Sequence, residues 1–197
     1  MDRRSALENT GLLAGISLLG GALSTLVQSC QSQDRLTWVP LFFSPKQAET
    51  VSAMTEVILP KTESPGALDL NVDVFVDLMC KKHLSESDQV HVMNGCEAFI
   101  QNCRDSYGKD FPRLNQEQKA EAIRQAGETA NTFNPAVWGS PLGEQEPLDF
   151  YRRVKQFTLI GYFTSEEIGK NVLNYDPIPG EYNPCMPVED VGNAWTI

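Results

Sequence analysis

SPKQAETVSAMTEVILP, residues 44–60, decides the fold class. Ser44 is a good helix cap, Pro45 suits the first helical position, and Gln47 lies three residues after the cap, where its amide completes a capping box. Ala48, Val51, Met54, Val57 and Ile58 then recur at helical spacing. Pro60 ends the run, because it has no N–H to continue the ladder.

The same signals recur downstream. A second helix is predicted over about 71–84, with Val72, Phe75, Leu78 and Met79 on one face. Ser85 and Ser87 offer caps for a third, from about Glu86 to Tyr107, with Met93, Cys96, Ile100 and Cys103 as its stripe and Gly108 placed to end it. Asn115 with Gln118 opens a fourth, carrying Ala122, Ile123 and Ala126. Residues 129–146 read as a long irregular loop. Pro147 is expected to start a fifth helix through Phe150, Tyr151, Val154, Phe157 and Ile160, interrupted at Gly161. Thr164 or Ser165 caps a last short helix to about Val172.

The end, NYDPIPGEYNPCMPVEDVGNAWTI, is too rich in Pro, Gly and aromatics for a long helix, and reads as an extended tail with a turn at Pro179-Gly180. No series of strands is evident. The expectation is a small all-α domain of five to six helices with an extended C-terminal segment.

Upstream of Ser44 the sequence changes character. Residues 1–10 are polar and contain Arg3-Arg4. Residues 11–27, GLLAGISLLGGALSTLV, are apolar and uncharged but short and Gly-rich for a membrane span of about 20 residues. They fit the core of an export signal. Arg3-Arg4 with Leu7 resembles a twin-arginine signal, and Val27-Gln28-Ser29-Cys30 resembles a lipoprotein processing site at which Cys30 takes the lipid. The chain therefore divides into a signal (1–29), a lipidated tether with the apolar lead-in LTWVPLFF (30–43), and a helical domain (44–197). The alternative for the first part is an uncleaved signal anchor. Either outcome places the domain in the cell envelope, outside the cytoplasm and held to a membrane.

The net charge of −10 falls entirely on the domain, since Arg3 and Arg4 offset Asp2 and Glu8. Nucleic acid is excluded as a partner, because no basic stripe is available to collect phosphates. Binding of anionic lipid through the protein surface is disfavoured on the same grounds, while an acidic face suits a basic partner subunit.

Chemistry-bearing residues are sparse. Besides Cys30 there are Cys80, Cys96, Cys103 and Cys185. Cys96 and Cys103 are seven residues apart, roughly 10 Å along one helix, too far for a disulfide. Two arrangements stay open, a bond from Cys80 to one of them across a helical hairpin or a set of buried free thiols. His83 and His91 fall on different helices in polar surroundings, so no zinc set forms. Asp73 and Asp77, one turn apart, read as a solvated face. Glu166 and Glu167 complement the dipole of the last helix. No nucleophile elbow, P-loop or dinucleotide fingerprint is present, so no catalytic, metal or cofactor site is expected on this chain.

The segment FTLIGYFTSEEIGKNVLNYDPIPGEYNPCMP (157–187) carries a resemblance. Gly161-Tyr162-Phe163-Thr164-Ser165, then Ile168-Gly169, then Tyr175-Asp176-Pro177 with Pro179-Gly180 resemble the gluconate 2-dehydrogenase subunit 3 family. Ile58-Leu59-Pro60 through Ser64-Pro65-Gly66-Ala67, and Val72 to Met79, are similar to it as well. The resemblance implies a small subunit without a redox group. Its partners would be a glucose-methanol-choline-type large subunit that binds FAD and, in several systems, a cytochrome c subunit with haem c. It would stabilise the large subunit, carry it through the twin-arginine route and anchor it by Cys30. Gly161, Tyr162, Phe163, Thr164, Ser165, Gly169, Tyr175, Asp176, Pro177, Pro179, Gly180 and Tyr182 are then the candidate partner interface, since aromatics concentrate at interface centres. The competing readings are a stand-alone envelope lipoprotein, which predicts a closed polar surface or a ligand pocket, and a catalytic domain, which requires a cleft of convergent ionisable groups. The subunit reading predicts exposed apolar surface.

Overall fold

The first helix, α1 (Pro45–Ile58), starts as its sequence predicts. The Gln47 N–H donates to Ser44 Oγ (3.4 Å) and the Ser44 N–H to Gln47 Oε1 (2.9 Å), closing the capping box. The computed structural model describes residues 38–131, 136–137, 140–141, 146–178, 180 and 185–196. Arg3, Arg4, Cys30, Pro179 and Tyr182 lie outside the described residues.

Four further helices of more than two turns follow: α2 (Val72–Lys82), α3 (Glu86–Tyr107), α4 (Gln116–Thr129) and α5 (Phe150–Phe163). Two short ones, α6 (Glu166–Asn171) and α7 (Val188–Val191), complete the set among the described residues, and the domain is all-α. Ser85 caps α3 and Gly108 ends it in the left-handed region at φ 69°, where a glycine has no Cβ to clash. Asn115 and Gln118 form a second capping box at α4. Single 3-10 turns sit at Leu68–Leu70 and Phe111–Arg113.

Helix α5 is the hub and packs against α1, α2, α3, α4 and α6. Its Val154, Phe157 and Thr158 are buried against the others. Phe99 of α3 meets Phe111 edge-on at 5.1 Å and Phe150 of α5 at 5.9 Å, which ties three elements into one aromatic cluster. Helix α1 is buried on most sides although it is only weakly apolar. Its inward polar groups all have partners. Ser52 Oγ donates to Asp73 (2.5 Å), Thr55 Oγ1 to the Ser52 carbonyl (2.8 Å), Thr50 Oγ1 to the Lys46 carbonyl (3.2 Å) and Gln47 Nε2 to Glu97 (2.6 Å).

Several expectations are corrected. Helix α5 starts at Phe150 after Asp149, not at Pro147, and Gly161 does not interrupt it: the helix runs on to Phe163. The loop after α4 is not wholly irregular, because Ala136–Val137 pairs antiparallel with Ser140–Pro141. The base of that loop is closed by Asn131, which donates through Nδ2 to the Pro147 carbonyl (3.0 Å) and accepts at its carbonyl from Arg152 Nε (3.1 Å).

Asp73 and Asp77 are not a solvated face. Both are buried, at 7% and 1% exposure. Asp77 accepts three successive backbone N–H groups, from Leu41 (2.8 Å), Phe42 (3.1 Å) and Phe43 (3.0 Å). Asp73 accepts from Trp38 Nε1 (3.2 Å) and Ser52 Oγ. Two carboxylates one turn apart thus clamp the lead-in onto α2. Phe43 is buried, while Val39 and Leu41 remain on the surface.

Candidate partner interface

The segment that carries the family resemblance begins on the last turns of α5. Its first two residues turn inward. Gly161 is buried with the ring of Phe75 from α2 directly over it; a Cβ there would stand 2.6 Å from Phe75 Cδ1. The glycine is required by contact between two helices of this chain, not by a break in the helix. Tyr162 is also buried, and its hydroxyl donates to the Pro65 carbonyl at 2.8 Å, a bond spanning 97 residues of sequence. Gly161 and Tyr162 therefore do not present themselves to a partner. They join the two segments of the resemblance, 58–67 with 72–79 on one side and the start of 157–187 on the other. A cleft of about 480 Å³ opens between them, lined by Lys61, Ser64, Pro65, Asp69, Leu70 and Glu167 among others.

Outward from this junction the residues change sides. Phe163 packs edge-on against Tyr162 (5.3 Å between ring centres) yet is 41% exposed, and Ile160, one turn before it, is 40% exposed. Thr164 Oγ1 donates to the Ile160 carbonyl (2.7 Å) and Ser165 Oγ to the Tyr162 carbonyl (2.7 Å), so both hydroxyls are used to close the helix end. In α6, Ile168 is buried and Gly169 lies under Thr196; a Cβ at Gly169 would stand 2.9 Å from its hydroxyl oxygen. The C-terminal segment is held there by Asn174. Its N–H donates to the Ala194 carbonyl (2.9 Å), and its own carbonyl accepts the Thr196 N–H (3.0 Å).

Just after Asn174 the described chain comes to the surface. Tyr175, Asp176, Pro177 and Ile178 are exposed, with Asp176 Oδ1 accepting the Ile178 N–H at 3.2 Å. Gly180 is exposed too, and a Cβ there would meet nothing within 4 Å. Met186, Val188 and Trp195 add exposed apolar surface on the same C-terminal segment. The sequence placed one continuous motif on an interface. The structure divides it into an inner half that builds the domain and an outer half, Ile160, Phe163, Tyr175 and Ile178, that displays apolar side chains.

Three of the remaining reactive groups are held in the core. Cys80, Cys96 and Cys103 are buried free thiols, and Cys185 is exposed. Burial pushes the Cys80 thiol up to about 12 and the Cys103 thiol up to about 11, and raises Cys96 as well. A thiol held protonated at neutral pH is a poor nucleophile and a poor metal ligand. His83 lies near the Phe157 ring (6.2 Å), and His91 Nε2 is 3.9 Å from Asp149 Oδ1. Among the described residues no group of three His, Cys, Asp or Glu side chains is placed to hold a metal ion.

The class this defines is a small all-helical domain with polar groups committed to its own architecture and apolar side chains left on its C-terminal flank. Residues 45–180 match the family model described as gluconate 2-dehydrogenase subunit 3, and the chain belongs to that family. It is thereby an accessory-type subunit of a gluconate 2-dehydrogenase-like complex. Comparison with curated proteins and with solved structures gave no match.

Proposed function

We propose that the chain is the non-catalytic small subunit of an exported FAD-dependent sugar or alcohol dehydrogenase. In this reading it stabilises a glucose-methanol-choline-type large subunit, which holds the FAD, and accompanies it through the twin-arginine route on the strength of Arg3-Arg4. Lipid on Cys30 then anchors the pair in the cell envelope. A cytochrome c subunit with haem c takes the electrons where the complex has one.

The observation that carries the reading is the family match over 45–180, and the exposure of the large apolar side chains Ile160, Phe163, Tyr175 and Ile178 within the matched segment is consistent with it. Side chains of this size left in water on a well-packed domain are what a docking face requires. The clamp of Asp73 and Asp77 on residues 38–43 fits an anchoring role, because pull from the tether is received by a set of hydrogen bonds, the innermost of them buried, instead of by a loose end.

Export through the small subunit is tested by replacing Arg3 and Arg4 together with lysine in the producing cell. Sugar-dependent dye reduction is then measured in membrane and cytoplasmic fractions. The reading predicts that the activity leaves the membrane fraction. Unchanged membrane activity contradicts it.

A further inference from the structure

The net charge of −10 conceals a positive corner. Lys46 at the start of α1, Arg104 near the end of α3, and Lys109 and Arg113 in the connection that follows surround two adjoining clefts of about 330 and 310 Å³. The clefts share Asp110 and Arg113, and Glu49 is the other acid on their walls. Four cations thus face two carboxylates. Asp110 already binds both Arg104 (2.7 Å) and Lys46 (3.2 Å). Lys109 and Arg113 are exposed and have no carboxylate partner among the described residues.

The entry segment 38–43 leads within three residues to Lys46, the first cation of the corner. Trp38 follows Cys30 by eight residues, a reach of at most about 28 Å even when fully extended. Leu41 precedes Lys46 by five residues, so the two lie within about 18 Å. Val39 and Leu41 are 85% and 61% exposed on that entry segment.

We propose that this corner, together with the exposed Val39 and Leu41 of the entry segment, is a membrane-facing surface that rests on anionic lipid headgroups and sets the orientation of the tethered domain. Net charge argues against lipid binding only for charges that the headgroups can sense. At physiological salt the screening length is about 8 Å, so the face presented decides the sign of the interaction and the acidic bulk of the domain is screened. The tether supplies proximity, which leaves the corner only the work of choosing which side faces down. Repulsion of the acidic remainder acts in the same direction. Val39 and Leu41 contribute apolar insertion at the headgroup boundary. An acidic partner protein would satisfy the cations equally. It would not account for the short tether or for the exposed apolar pair at the point of entry.

The inference rests on the reading that Cys30 carries lipid, and the two are tested separately. The full chain is purified from its own membranes with any partner it holds. It is then reconstituted with vesicles of phosphatidylcholine alone or of phosphatidylcholine with phosphatidylglycerol. Flotation reports the anchor, and a Cys30→Ser chain is expected to lose flotation on neutral vesicles. Acetylation of lysines by a water-soluble reagent, read by mass spectrometry, reports the corner, with the exposed Lys81 and Lys82 of α2 as internal references. Labelling of Lys46 and Lys109 is expected to fall roughly fivefold on phosphatidylglycerol vesicles relative to neutral ones, the size of effect usual for one cation at an anionic surface. That protection is expected to disappear in 0.5 M salt. A Lys109→Gln/Arg113→Gln chain, checked to melt like the parent, is expected to lose the protection at Lys46.

Equal labelling on both vesicle types overturns the proposal, as does protection that follows the partner subunit and ignores lipid charge. If flotation on neutral vesicles survives Cys30→Ser, the anchor reading fails and the corner is judged by labelling alone: protection of Lys46 and Lys109 on phosphatidylglycerol vesicles supports it, and equal labelling overturns it.

Discussion

Replacing Asp77 by alanine removes the acceptor for three consecutive N–H groups, those of Leu41, Phe42 and Phe43. The Phe43 bond is buried, so its N–H is left without a partner at a cost of about 1–3 kcal/mol. The bonds from Leu41 and Phe42 are part-buried and water replaces the carboxylate there, so each costs roughly 1 kcal/mol or less. The sum is about 3 kcal/mol. For a domain of this size that corresponds to a fall in Tm of roughly 6–12 °C. Asp77→Asn is the graded control. Its single carbonyl oxygen, placed at the Oδ1 position, keeps the Phe42 and Phe43 bonds and sets an NH2 group against the Leu41 N–H, so about half the loss is expected. The assay is thermal unfolding by circular dichroism, with hydrogen exchange at residues 41–43. Ala is expected to lose both stability and amide protection, with Asn in between. An Asp77→Ala chain that melts within 2 °C of the parent and keeps protection at residues 41–43 would refute the claim that this carboxylate fastens the lead-in to α2.

Three further outcomes follow from the same geometry. Gly161→Val puts a branched side chain into the Phe75 ring, and a cost of roughly 1–3 kcal/mol in thermal unfolding is expected; a Gly161→Val/Phe75→Ala chain is expected to regain part of it. Thiol labelling with a disulfide reagent at pH 8 is expected to spare Cys80, Cys96 and Cys103 in the folded chain and to reach all three after guanidinium is added. The Asp110 carboxyl is held below its ordinary value: partial burial works against ionisation, but the hydrogen bonds and charges of Arg104 and Lys46 outweigh it. A carboxyl depressed in the folded chain stabilises above its unfolded pKa and loses that contribution as the pH falls through the folded one, so Asp110→Asn is expected to weaken the parent's loss of stability below about pH 4.

What the sequence disclosed was local. Ser44 with Gln47 and Asn115 with Gln118 are complete signals within four residues, and both capping boxes form. Gly108 ends α3 because the left-handed position is a property of the helix end itself. What it hid depends on segments distant in the chain. Helical period places Asp73 and Asp77 on one face but says nothing of what covers that face. The cover is residues 38–43, whose N–H groups reverse the meaning of two acids from solvated to buried. Gly161 looks like a break, since glycine costs a helix about 1 kcal/mol. The close approach of Phe75, which only a glycine admits, keeps it inside α5. Tyr162 reads as one more aromatic until its hydroxyl is seen on the Pro65 carbonyl. The positive corner is assembled from positions 46, 104, 109 and 113, and a net charge cannot reveal it.

The central claim is that this chain works as a subunit bound to a flavoprotein. The most direct test is purification of the full chain from its own membranes in mild detergent, with mass spectrometry of the eluate and an absorption spectrum. The account predicts a stoichiometric large subunit with flavin bands and sugar-dependent dye reduction. A colourless chain eluting alone contradicts it and favours a lipoprotein that acts by itself.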